Sequence, residues 1–86
     1  MSVLVNNPLA VKVTFDQDYM WVGLADGRQL GVPLVFFPRL LNATPDAREK
    51  FVISGGGTGI HWEDLDEDIS VPALLSGVSD RYSNEK

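Results

Sequence analysis

The chain has 86 residues, 44% of them hydrophobic and 22% charged, with a formal net charge of −5 and no cysteine. That is enough for one small core but not for a core plus a separate deep substrate cavity, and it excludes disulfides, thiolate nucleophiles and thiolate metal sites. No window reaches the roughly 18 apolar residues of a membrane span, and the start MSVLVNNPLAVKV lacks a basic n-region, so a cytoplasmic protein in a reducing compartment is expected.

In LAVKVTFD, Val11, Val13 and Phe15 alternate with Lys12, Thr14 and Asp16, the period-two signature of a strand with one buried face, over about residues 9–16. Two further apolar runs, near 19–25 and 28–33, flank Ala25-Asp26-Gly27, and Asp-Gly is a hairpin signal because both residues tolerate positive φ. These three strands predict an antiparallel meander. The alternation then stops, and Phe36, Phe37, Leu40 and Leu41 take the spacing of the buried side of a short helix with Pro38 in its first turn. A second helix is expected over about 45–50, capped by Thr44, with Pro45 at its first position and Asp46 against the positive end of its dipole. FVISGGGTGIHW reads as extended chain interrupted by a glycine-rich turn, giving a further strand near 52–62. Ser70, Pro72 and Gly77 bracket a short helix over 71–76, and residues 78–86 read as a frayed tail. The whole predicts a single small α+β domain without repeats or linkers.

The net charge has a location. Glu63, Asp64, Asp66, Glu67 and Asp68 supply five negative charges within six residues, and the other seven acids offset the seven bases. Without an excess of bases the chain gains little from releasing phosphate counterions, so nucleic-acid binding by itself is not expected, and a basic protein is the natural complement.

Four motifs invite a chemical role, and each departs from its pattern. SGGGTG lacks the spacing of the dinucleotide fingerprint and the lysine of a phosphate loop, which leaves a tight connection. DLDED resembles the opening of a calcium loop, but Ile69 stands where the turn needs glycine and Leu75 where a bidentate carboxylate should be. His61 with Glu63 resembles the His-x-Glu of zinc deaminases, whose cysteine half is absent here. An acid–base carboxylate pair needs one member in an apolar recess, whereas a hydrophilic run more often lies in solvent. No cofactor, metal or catalytic residue is therefore assigned. Trp62 beside the acidic run reads either as an interface anchor or as a core residue holding that run to the sheet, and Trp21 reads as core or sheet face.

LADGRQLGVPLVFFPRLLNATPDAR followed by GGGTGIHWEDLDEDISVPALLSG resembles the small bacterial and phage proteins grouped as domain of unknown function 2442, over about residues 10–77. The resemblance implies an α+β domain without established catalytic residues, often encoded beside small toxin-like partners and in some relatives fused to a helix-turn-helix domain. No such DNA-binding half is expected in these 86 residues, which weakens any expectation of self-repression. The expected function is a non-enzymatic, antitoxin-like binding module that masks a small basic partner with His61, Trp62, Glu63, Asp64, Asp66, Glu67 and Asp68, together with an exposed sheet edge. The alternative is a carboxylate-based or metal-dependent hydrolase centred on His61, Glu63, Asp64 and Asp66. Arg28 and Arg39, in the family-like blocks, are candidate internal partners of the acidic run, which would make that run a structural latch.

Overall fold

A computed structural model describes residues 8–77, and the expected frayed tail at 78–86 lies outside the described residues. Two three-stranded antiparallel meanders, with short helical segments between and after them, make up an α+β fold. The first sheet follows the expected meander: β1 (Ala10–Phe15), β2 (Tyr19–Leu24) and β3 (Gln29–Pro33) lie in that order. Val13 faces Val22 and Met20 faces Val32 across the ladders, so their side chains share the inner face.

The first strand departs from simple alternation. A bulge between Ala10 and Lys12 turns Ala10 into the core and leaves Val11 62% exposed. One extra residue in the ladder reverses the facing of everything before it. On the outer face, the ring of Trp21 lies over Gly31, where an added Cβ would come within 2.6 Å of it. Asp16 closes the first turn by accepting hydrogen bonds from the amides of Asp18 (3.0 Å) and Tyr19 (2.8 Å) and from Nε1 of Trp21 (2.9 Å). Asp26-Gly27 makes the second turn as expected, with Gly27 at φ +95°.

A 3-10 turn (Leu34–Phe36) leads into α1 (Pro38–Leu41), and Phe37 between them is non-helical at φ −133° and ψ 85°. That break changes the expected buried stripe. Leu34, Phe37 and Leu40 go inward, while Leu41 is exposed and Phe36 only partly covered. α2 (Pro45–Arg48) begins as the sequence predicts, with Thr44 Oγ1 accepting from the amide of Ala47 at 3.1 Å.

The single strand expected near 52–62 is a hairpin, β4 (Phe51–Ser54) and β5 (Gly59–Trp62), with the glycine run as its connection. An unexpected strand, β6 (Glu67–Ser70), completes the second sheet on the far side of β5. α3 (Val71–Leu75) follows directly, with Ser70 Oγ accepting from the Ala73 amide and Gly77 at φ +89° behind it.

One apolar cluster joins the inner faces of both sheets to the helices, and Met20, Val22, Leu34, Leu40, Ile60, Trp62 and Val71 are its most deeply buried members. Removing each such aliphatic or aromatic side chain from water contributes about 1.5–3 kcal/mol. Gly57 marks where the glycine connection meets β1: at φ +114°, an added Cβ would lie 2.7 Å from Leu9 Cβ and 2.9 Å from the Ala10 carbonyl oxygen. The glycine run therefore serves the contact between the sheets. No helix among the described residues is long and apolar enough to cross a membrane.

Candidate functional site: the outer face of the acidic hairpin

Period-two geometry sorts the acidic run into two faces. Ile60, Trp62, Glu67 and Ile69 turn inward, while His61 and Asp68, directly opposite each other across the β5–β6 ladder, turn outward. The connection at 63–66 turns tightly enough to hold Asp66 at φ +53°, a left-handed conformation that aspartate tolerates. Glu63, Asp64, Asp66 and Asp68 are exposed, and Leu65 between them packs against the core and fastens the turn.

On the outer face His61 stands between two carboxylates. Its Nδ1 lies 2.6 Å from Asp68 Oδ1 and its Nε2 lies 3.1 Å from Glu63 Oε1. Hydrogen bonding to Glu63, then to Asp68, raises the imidazole above its ordinary titration range, against a smaller opposing effect of partial burial. Beside His61 on β4 is Val52, 60% exposed, so the face pairs a charged cluster with an apolar step.

On the inner side, Glu67 is only 4% exposed. Arg39 Nη1 lies 3.9 Å from Glu67 Oε1 and also donates to the Asp66 carbonyl, which ties α1 to the start of β6. Trp62, 1% exposed, donates Nε1–H to the Arg48 carbonyl at 2.9 Å. Arg48 in turn donates from Nε to the Leu40 carbonyl (2.7 Å) and from Nη2 to the Leu41 carbonyl (2.8 Å), satisfying acceptors at the end of α1.

Of the two readings of Trp62 the structure takes the core one, and Glu67, expected on the outer surface, also turns inward, because the strand period points both into the fold. Arg28 pairs with Asp26 in its own hairpin, Nε to Oδ2 at 2.9 Å, a partner two residues away that competes with any distant one. The proposed hydrolase set is not assembled either: Glu63 meets His61, but no hydrogen bond or ion pair joins Asp64 or Asp66 to it. With both ring nitrogens facing carboxylates, the imidazole offers no free lone pair to a metal or a reacting proton while both contacts hold.

Two residues that matter here escaped the sequence reading. Val52 was legible in principle, since it alternates with Phe51 and Ile53 and so belongs outside. Arg48 carried no local signal, because its acceptors lie seven and eight residues back. Among the described residues, recesses lie elsewhere, such as one of about 170 Å³ lined by Leu30, Val32, Phe36, Phe37 and Leu74 among others, and one of about 290 Å³ bounded by Phe15, Asp16, Pro45 and Arg48. Neither includes a residue of the acidic run. Among the described residues, no group of three or more His, Cys, Asp or Glu side chains is arranged to hold a metal ion.

Residues 10–80 match the family described as "Protein of unknown function (DUF2442)". The chain belongs to that family. Its architecture is similar to the crystal structure of a protein of unknown function from Rhodospirillum rubrum ATCC 11170, with a TM-score of 0.80 and 31% identity over 94% of this chain and 100% of that one. It is also similar to the solution structure of an uncharacterized protein from Chromobacterium violaceum, with a TM-score of 0.72 and 27% identity over 90% of this chain and 74% of that one. No curated protein matches the chain. Family membership thus extends the fold to relatives without bringing an activity.

Proposed function

We propose that this family member is a non-enzymatic protein-binding module, antitoxin-like in kind, which docks a small basic protein on the outer face of the β5–β6 hairpin. The observation that carries the reading is the segregation of the acidic run. Four of its carboxylates, on Glu63, Asp64, Asp66 and Asp68, are exposed around one turn, while Trp62, Leu65 and the Arg39–Glu67 contact hold that turn against the fold. A rigidly mounted negative patch steers a basic partner and orients it on arrival. Val52 and the edge strand β4 add apolar and main-chain contact surface next to the charge.

The test begins with affinity capture from the native host, using the chain as bait. A basic protein recovered in equal amount is then measured against the parent chain and an Asp64→Asn/Asp66→Asn variant. This reading requires slower association for the variant. Equal rates would remove the acidic turn from the interface.

A further inference from the structure

The geometry around His61 sets a proton requirement that the partner reading does not use. One ring nitrogen faces Asp68 Oδ1 at 2.6 Å and the other faces Glu63 Oε1 at 3.1 Å. Carboxylates only accept hydrogen bonds, and a neutral imidazole has a single N–H. Both contacts are hydrogen bonds only when both nitrogens carry protons.

We infer that His61 is a proton-operated clamp: doubly protonated, it ties the 63–66 turn to the outer face of the second sheet, and on losing one proton it releases Glu63 while keeping Asp68.

The order of release follows from the two contacts. Asp68 is fixed by the ladder directly opposite His61 and makes the shorter contact, so the remaining proton stays on Nδ1. Glu63 sits just beyond the end of β5, outside the ladder, and makes the longer contact at 3.1 Å, so Nε2 is the nitrogen that gives up its proton. The groups facing the imidazole are Glu63 from the turn and Asp68 from β6. From β4 the facing residue is Val52, which carries no charge. Arg39 does not compete, being engaged by Glu67 and the Asp66 carbonyl. Loss of the proton also removes the cation between two carboxylates, so opening the clamp leaves the face more negative. The device belongs to the isolated chain and stands whether or not a basic partner exists.

The test is a nitrogen-15 NMR titration of the imidazole in the intact chain, with backbone order parameters of residues 63–66 on either side of the midpoint. The clamp predicts a midpoint above the ordinary value of about 6.5, an Nδ1–H tautomer at high pH, and a fall in the order parameter of Glu63 from near the rigid value of about 0.85 once the proton is lost. In a Glu63→Gln variant the midpoint should drop and the order parameter should no longer depend on pH. A midpoint at or below about 6.5, an Nε2–H tautomer at high pH, or a turn equally ordered on both sides of the midpoint would overturn the inference.

Discussion

The indole N–H of Trp62 meets the main-chain carbonyl of Arg48 at 2.9 Å, and the guanidinium of Arg48 reaches back to the carbonyls of Leu40 and Leu41. This relay fastens the strand that carries the acidic face to the helices beneath it. Trp62→Phe keeps most of the apolar volume but strands the Arg48 carbonyl, so unfolding stability should fall by about 1–3 kcal/mol. Arg48→Met should cost a similar amount, chiefly by removing the donor to the Leu41 carbonyl, since the Leu40 carbonyl keeps the Ala43 amide at 3.2 Å. Urea titrations of both variants and of the double variant check the coupling, since side chains sharing one network give less than additive losses.

Arg39→Met removes the cation beside a carboxylate that is nearly out of water. The expected loss is roughly 1–3 kcal/mol, below that of a fully buried pair because the Arg39 side chain is itself 60% exposed. Chemical denaturation of Arg39→Met and of Arg28→Met separates the two arginines. Arg28 pairs only at the surface of its own turn, so its loss should lie within about 0.5 kcal/mol.

The three consecutive glycines of the connection should respond unequally. Gly56→Ala faces open space at φ +67° and should cost about 1 kcal/mol from the left-handed backbone alone. Gly57→Ala adds a collision with the backbone of Ala10, which cannot swing away, so its loss should exceed that of Gly56→Ala by about 1–3 kcal/mol. Melting temperatures of the two variants, compared side by side, decide this.

The sequence revealed elements whose determinants are local and concealed those set by distant contacts. Thr44 with Pro45, Ser70 with Pro72 and Gly77, and Asp26-Gly27 act on neighbouring amides, and each of these segments forms where the pattern places it. The bulge at Ala10–Lys12 was hidden because Val11 fits the alternation better than Ala10, and only packing against Gly57 reveals the choice. β6 was hidden by its own charge: in Glu67-Asp68-Ile69-Ser70 the inward positions are Glu67 and Ile69, so a buried carboxylate stands where the period calls for an apolar residue. Its cation, Arg39, is 28 residues away. The acidic run was legible as a site of charge, but its two faces were not, because that division depends on strand register.

Asp16 should make stability depend on pH in the acid range. Its hydrogen bond to Trp21, followed by those to the amides of Asp18 and Tyr19, holds its carboxyl below the ordinary aspartate value of 3.8. A depressed folded-state value means the contribution is present above that ordinary value and disappears as pH falls through the folded one. Asp16→Asn should therefore be less stable than the parent at neutral pH, with the gap closing as pH falls below about 3.8. Urea midpoints of the pair from pH 7 down to pH 2 check the sign.

His61 should act in the opposite direction. With its folded-state value raised by Glu63 and Asp68, its contribution is fully present below the unfolded value near 6.5 and is lost as pH rises through the folded one. A His61→Gln variant should be less stable than the parent at pH 5 and converge with it in alkali, as read from thermal midpoints across that range.

The most direct test of the docking account is surface plasmon resonance between the chain and the basic protein recovered with it, over a salt series, using Asp64→Asn/Asp66→Asn as the comparison. These two side chains are exposed and make no hydrogen bond or ion pair with His61, so the variant lowers the charge of the turn while leaving the Glu63 and Asp68 contacts in place, with circular dichroism as the folding control. The account predicts association roughly several-fold slower at low salt and a flatter dependence of the on-rate on ionic strength. A folded variant with the parent's on-rate and the parent's salt slope would contradict it.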